Sequence, residues 1–505
     1  MSRPVRTVVV AGAGAPLWLA TLALRKAFGA GGLAVLAVET APPTPGLSHA
    51  GLPAMGNLHQ LLGLSEVELS RRCGAVPSLG QRFAGFSGDG SAFLHPYDTH
   101  GHAVDYVDFV HHWVLARKRG LKTALEDFSL GAAAAKQGRI VEGDDPGRLS
   151  SPGAGLHVDA AAYATLLRQR ALVDGVTVEQ GALADIERSG ERIDAVVLES
   201  GARIAGDLFV DVGDGALIGQ MPGAAFESWA RWLPFDRVLP LAGQRLKTLP
   251  AYAHIEAVEG GWIGLYPLQD RTAGLAVYDS RTADAGLMAR RAEGVSPLGW
   301  RQGEAQALRP GMQTRPWIGN CVALGAAAIA LDPSDAAPMH AFQAGLSHLV
   351  SLFPADAGGG AEAPEARAYG AALAAQGRGL RDFQAMHYNL NRRAGAPWEA
   401  VRESEPPAEL AYRLRLFGAR GVVPAREDEA FQPANWAACL IGHGLIPQAH
   451  DPLAEGVAEA EQIQIFQNIL GRIAADVGRM RPLEARLASL ASRPAASAPA
   501  PLRFT

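Results

Sequence analysis

The stretch that most restricts the fold is "TVVVAGAGAPLWLATLALRKAF", followed by "LAVLAVE" ending at Glu39. Residues 8–10 form a short apolar run of the kind buried on both faces of a parallel sheet. Residues 17–28 are long enough and rich enough in Ala and Leu for a helix. Between them, Gly12 and Gly14 occupy the first two positions of a G-x-G-x-x-G turn, with Leu17 at the third. The first glycine permits the tight turn, the second lets backbone approach a pyrophosphate, and the third allows close packing of helix on strand. Glu39, at the end of the second strand, is placed to bind ribose hydroxyls. Such a unit dictates a parallel α/β sheet, and these residues leave open whether its turn holds a dinucleotide or nothing.

The remaining pattern extends this class. "VDAAAYATLLRQRALVDG" reads as an amphipathic helix followed by the strand "VTVEQG", and "IDAVVLESGARIAGDLFVDVGDG" reads as a hairpin plus a buried strand ending at Asp211. "GGWIGLYPLQDRTAGLAVYDS" alternates and turns like a sheet meander. After about residue 360 the pattern is helical, in "RDFQAMHYNLNRR", "AELAYRLRLFG" and "EAEQIQIFQNILGRIAADVGRM". The expectation is one continuous unit: an α/β core over 1–360 with an inserted segment near 77–152, a helical cap over 361–492, and a Pro/Ala/Ser-rich disordered tail over 493–505.

Composition removes several classes of function. With 505 residues, 48% apolar and 19% charged, the chain is globular with a substantial core. A formal net charge of -5 and no basic stripe argue against nucleic acid or an anionic membrane as partner. Cys73, Cys321 and Cys439 lie too far apart for a disulfide framework or a zinc site, so no metal is expected. No signal peptide and no run of membrane-spanning length is seen, so the cytoplasm is the default compartment.

One further stretch stands out. "LDPSDAAPMH" crowds Asp332 and Asp335 between an apolar run and an apolar helix. Two acids in such a loop hold a ligand, perform proton chemistry, or cap the helix beginning near Pro338.

Taken in order, these segments resemble the flavin-dependent tryptophan halogenases from the N-terminus to about residue 455. "VVVAGAGAPLWLAT", including Trp18, resembles the family's GGGTAGW-type turn. "LFVDVGDGALIGQM" with "FESWARWLPFDRVL" matches its mid-chain strand. "GGWIGLYPLQDRTAGLAVY" sits on its W-x-W-x-I-P stretch. "WIGNCVALGAAAIALDPSDAAPMHAFQAGLSHLVSLFP" matches the stretch carrying its E-P-L-E-S-T loop, and "LRDFQAMHYNLNRRAGAPW" with "FQPANWAACLIGHGLIPQAHDPLAEG" matches its helical part. The resemblance implies an FAD-binding, Rossmann-type, flavin-monooxygenase-like α/β core with a helical C-terminal substrate cap, fed by a separate flavin reductase. In that family reduced FAD and oxygen convert a halide to hypohalous acid; a lysine relays the halogen to an indole ring, and a glutamate assists.

Carried over position by position, the resemblance implies FAD contacts at Gly12, Gly14, Glu39, Gly46 and Gly325, with Leu17 pressing the first helix outward and weakening affinity. Ser78, in "PSLGQRF", stands where the relay lysine belongs, and a hydroxyl cannot replace an ammonium. The only lysines are Lys26, Lys118, Lys122, Lys136 and Lys247, and one of these would have to fold in. Asp335 falls on the catalytic glutamate, one methylene shorter, and Asp332 on the preceding acid, near substrate. The halide's backbone donors fall on Ala337 and Pro338, and proline has no N–H, so the site looks broken. In the W-x-W-x-I-P stretch Trp262 and Pro267 remain, but Gly264 and Tyr266 replace the second Trp and the Ile. In a second flavin loop, "GLSHAGLP", Gly46 and Pro53 remain, and His49 replaces a glutamate.

Trp436 and His443 match the segment lining the family's indole pocket, or else pack one helix on its neighbours. His387 is read as a hydrogen-bonded core histidine, and the adjacent His111 and His112 point to different faces. Three functions follow: an FAD-dependent oxidoreductase that oxygenates without halide, a non-catalytic binding or partner subunit, or a true halogenase of an unknown substrate. The partners implied are a flavin reductase, an aromatic or indole-like small molecule or peptide, and a second copy or related chain.

Overall fold

The computed structural model describes residues 4–40, 49–140, 153–356, 363–427 and 429–492. Gly46 and the 493–505 tail lie outside these residues, as does part of the 77–152 segment.

The N-terminal unit forms as its pattern demands. β1 (Thr7–Gly12) is followed by α1 (Gly14–Phe28) and β2 (Ala34–Glu39). Val8, Val9 and Val10 have no exposed surface, because layers cover both faces of the sheet. This six-stranded sheet runs in the order Trp317–Ile318, Cys321–Ala323, Leu208–Asp211, β1, β2, Thr177–Gln180. All pairings are parallel except the outer Trp317–Ile318 hairpin. The register aligns Gly12 with Glu39, Ala11 with Asp211, and Asp211 with Ala323. The carboxyl ends of four strands therefore finish level, the edge at which open α/β sheets bind ligands.

A second, eight-stranded sheet holds the meander. Gly261–Pro267 and Arg271–Tyr278 pair antiparallel, and Ala253–Val258 joins them to Gly80–Ala84 and Ala92–Pro96. Every residue of Gly261–Pro267 is buried, so both faces of this central strand are covered. Ser78 lies on Val76–Ser78, at the edge of a small third sheet, opposite Gly155.

The helix Ala337–Ser351 ends the stretch expected as core, and Pro364–Asn389, Ala408–Arg420 and Pro433–Gly442 belong to the helical C-terminal region, called the cap below. One apolar cluster runs from Val8 through Trp262 and Phe342 to Phe383 and Leu440, so core and cap share an interior. A second cluster joins Phe109, Trp113 and Phe128 of the inserted segment to Phe466, Ile473 and Leu483 of the last two helices, Glu459–Arg479 and Leu483–Ser492. Arg481–Pro482 pairs there with Arg139–Ile140. Among the described residues no helix is long and apolar enough to cross a membrane.

Candidate functional site

The carboxyl edge of the first sheet has the form of a dinucleotide cradle. Gly12 lies at φ +155°, and a Cβ there would fall 2.6 Å from Val212 Cγ2 and 3.0 Å from the backbone of Gly213. No larger residue permits that approach. Gly14, at φ +66°, faces open space, with only Pro16 Cδ at 3.9 Å from a notional Cβ. It begins α1, whose N-cap Ala13 has no capping side chain, so the first N–H groups point outward unengaged by side chains. Glu39 Oε2 accepts from Gln180 Nε2 at 2.6 Å and Arg168 Nε at 3.4 Å. At the carboxyl end of β2, Glu39 stands where a carboxylate would meet a ribose hydroxyl. Gly325, at φ +62°, lies two residues beyond Ala323 on the same edge. Leu17 is fully buried in the core, on the inner side of the helix. These residues fit a dinucleotide such as FAD.

The acidic loop lies under the cap. Asp335 and Ala336 adopt left-handed backbone, at φ +58° and +53°, although neither is glycine. Such residues cost about 1–2 kcal/mol each, and here the surroundings hold them. Asp335 N–H donates to Gln81 Oε1 at 3.1 Å, and Gln384 Nε2 donates to the carbonyls of Asp332 and Ser334 at 2.8 and 3.2 Å. The Asp335 carboxyl is wholly buried; Ser334 Oγ donates to Oδ2 at 3.2 Å, and Oδ1 has no partner among the described residues. Neither acid caps the following helix, whose N-cap Ala336 has no side-chain bond.

Imidazoles crowd Asp335. His387 Nε2 stands 3.5 Å from Asp335 Oδ2, off line for a hydrogen bond, and its Nδ1 lies 2.7 Å from His443 Nε2. The His387 Nδ1–His443 Nε2 pair shares one hydrogen, and which ring donates it is set by the tautomers of the two imidazoles. Burial holds His443 well below the ordinary imidazole range. Burial also pushes His95 down to about 4, although the charge of Asp335 pulls it back upward. Both His95 nitrogens are buried without partners among the described residues. Tyr97, touching Gln81 and Ser78, is pushed up to about 12 by burial.

The positions implied for halogen chemistry are otherwise engaged. Ser78 has no exposed surface and its Oγ donates to the Gly80 carbonyl at 3.1 Å. All five lysines are exposed, so none folds in to replace the missing amine. Ala337, fully buried, gives its N–H to the Ser334 carbonyl, and Pro338 has none. Neither backbone donor expected at the halide position is therefore available.

Two expected substrate contacts lie in the packing. Asp332 accepts from Ser334 N–H at 2.8 Å, from Trp262 Nε1 at 3.3 Å, and from the Tyr388 hydroxyl. Burial raises its pKa, and these three donors make it a cross-link between loop, sheet and cap. Gly264 is small for a local reason: a Cβ would fall 2.9 Å from Trp262 and 3.0 Å from Tyr266. Trp436 is buried, with Arg413 4.0 Å above its ring and Phe383 edge-on at 4.9 Å. His111 and His112 bond separately, to Asp451 N–H and to the Val104 carbonyl. Among the described residues no group of side chains suits a metal ion.

Sequence reasoning missed His95, Gln81 and Tyr97. The available signal was alternation: Phe93, His95 and Tyr97 share one side of an extended run, and Gln81 stands opposite His95 in the register.

A Rossmann-type sheet with a glycine turn, a second sheet and a helical cap over a buried acid defines an FAD-binding enzyme fold. The chain belongs to the tryptophan halogenase family, whose profile matches residues 7–459. It is similar to a flavin-dependent halogenase from Xanthomonas campestris, with 30% identity and a TM-score of 0.91 over 98% of this chain and 100% of that one. A flavin-dependent halogenase from Brevundimonas sp. BAL3 is 29% identical, with a TM-score of 0.88 over 96% of this chain and 99% of that one. The tryptophan 6-halogenase SttH of Streptomyces toxytricini is 26% identical over 480 residues, 87% of this chain and 89% of its own length. Flavin-dependent halogenases bind FAD and draw reduced flavin from a partner reductase.

Proposed function

We propose that this chain is a flavin-dependent oxidoreductase that oxygenates an aromatic substrate without halide, with Asp335 and His387 as its acid–base pair. The observation that carries this reading is the buried, strained Asp335, whose Oδ1 is unpartnered and whose Oδ2 faces His387 at 3.5 Å. Strain of this kind persists where surroundings impose it, and it gathers at functional sites. The oxidising chemistry would come from bound FAD, reduced by a partner reductase, and molecular oxygen. Overall the substrate gains one oxygen atom, the second leaves as water, and the two electrons come from the reduced flavin. Asp335 Oδ1 takes the proton that the ring carbon loses, and His387 Nε2, 3.5 Å from Oδ2 and held through its Nδ1 by His443, stands beside the carboxyl to pass that proton on. Ser78 and the missing halide donors argue against halogen transfer.

The test supplies FAD, a reductase, isotopically heavy oxygen and indole, with and without bromide, and reads products by mass spectrometry. The expected product carries heavy oxygen, is lost in Asp335→Asn, and is independent of bromide. A bromide-dependent isotope doublet overturns the reading. A protein that takes up no FAD is instead a non-catalytic binding or partner subunit.

A further inference from the structure

Away from the acid–imidazole cluster, the helix Phe109–Lys118 supports a surface that the fold leaves bare. Val107, Leu115 and Ala454 close a small apolar cluster of their own on that helix. The residues beside them turn outward: Tyr106 is 104% exposed and Leu453 69%. Gln462 reaches the same helix, its Nε2 donating to the His112 carbonyl at 3.5 Å, and the adjacent Ile463 is 51% exposed. Tyr106 stands on a two-residue turn, closed by Val104 N–H on the Val107 carbonyl at 3.0 Å and by the reverse bond at 2.9 Å. Such a turn with positive φ at both central positions favours Asn-Gly. Here Asp105 and Tyr106 adopt φ +47° and +67°. The tyrosine is held on strained backbone and buries none of its ring, so the strain has no return within the described residues.

We infer that this surface docks a basic polypeptide segment bearing apolar side chains. Charge selects that occupant. The stretches that build the surface, 99–116 and 450–471, contain Asp105, Asp108, Asp451, Glu455, Glu459 and Glu461 and neither lysine nor arginine. All six except Asp451 are exposed. Arg119, just past the far end of the helix, is engaged by Gln462 Oε1 at 3.3 Å. An apolar centre with an acidic rim is complementary to apolar side chains flanked by Lys or Arg, and repels an acidic segment. A second copy of this chain fits poorly for the same reason, because a two-fold contact sets the acidic rim against itself. Tyr106 supplies the anchor: a rigid ring, fully available, whose burial needs a partner. The docking requires neither flavin nor oxygen, so it stands or falls separately from the oxygenation proposed above.

The test is fluorescence anisotropy of the full chain with a labelled amphipathic peptide of leucine and lysine, against its leucine and glutamate counterpart. The lysine peptide is expected to bind about tenfold more tightly or better, and added salt should weaken it. Tyr106→Ser and Leu453→Ser, at exposed positions where the fold loses little, should each weaken it about fivefold or more. Glu455→Lys with Glu459→Lys should do the same. Val173→Ser, 82% exposed on the helix Ala160–Val173, and Glu199→Lys, exposed beyond the strand Arg192–Leu198, should leave it unchanged. Equal binding of the two peptides, binding of neither, or equal losses in Val173→Ser and Glu199→Lys overturns the inference. So does tighter binding once residues 493–505 are removed, which would make Leu502, Arg503 and Phe504 of the chain itself the occupant. A dimer in sedimentation that Tyr106→Ser dissolves would assign the surface to a second copy and overturn it as well.

Discussion

Returning a lysine to position 78 should not return halogenation, and the reason can be given a size. Ser78 is wholly buried, its hydroxyl answered by Gly80. An amine there loses its water, and fully buried lysines drop by ~3–5 pKa units, equivalent to about 4–7 kcal/mol against the charged form. The anion then finds neither expected donor, since Pro338 has no N–H and that of Ala337 is bound to the Ser334 carbonyl. At ~1–3 kcal/mol each, two missing donors cost about 2–6 kcal/mol, or roughly thirty-fold to ten-thousand-fold in halide affinity. Ser78→Lys is thus expected to unfold at lower urea concentration than the parent and to give no chlorinated or brominated tryptophan or indole in excess halide. Ser78→Lys with Pro338→Gly regains one N–H and should still fail, because Ala337 remains engaged. A halide-dependent isotope pattern from Ser78→Lys alone would refute the reasoning.

Other expectations concern the cradle, the packing and pH. Gly14→Leu places a side chain in open space at φ +66°, so it should abolish flavin absorbance after reconstitution at a stability cost of only about 1–2 kcal/mol; colour that survives would place the cofactor elsewhere. Gly264→Trp restores the family residue but meets Trp262 and Tyr266, and should lower Tm by overpacking worth more than ~2 kcal/mol. Asp332→Ala leaves the donors of Trp262, Tyr388 and Ser334 unanswered and should cost ~2–5 kcal/mol in urea unfolding. His49, His59 and His95 are each held at about 4 by burial, below the unfolded 6.5. The unfolded chain binds more protons below pH 6.5, so stability is full above that value and falls as pH drops toward 4. About 2 kcal/mol per histidine should be gone by pH 5, and a urea midpoint unchanged from pH 7.5 to 5 would contradict this.

The sequence showed most clearly what local pattern controls. The glycine turn, Glu39 and the meander depend on spacing and alternation, and each formed where expected. The loop at 332–335 was visible because two acids in apolar surroundings are costly. Hidden were the facts that need the third dimension. His95, Asp335 and His443 are separated by more than a hundred residues each, and only the packing of the cap on the second sheet brings them together. The state of the Ala337 N–H depends on a backbone twist at Asp335 that no residue identity announces. Asp332 looked like half of an acid pair, yet its role as a cross-link follows from Trp262 and Tyr388 on two distant elements.

The cluster formed by the inserted segment and the last two helices bears on how the chain acquires its shape during synthesis. Phe109 and Phe128 meet Phe466 with ring centroids 5.0 and 5.1 Å apart. The first two rings leave the ribosome more than three hundred residues before the third. At a synthesis rate of roughly 5–20 residues per second, that apolar surface stays uncovered for tens of seconds, long enough to need a chaperone or a temporary cover. The family match ends at residue 459. A chain stopped at that boundary would carry the whole nucleotide cradle and acid loop, yet keep this early surface bare and fail by aggregation rather than by chemistry.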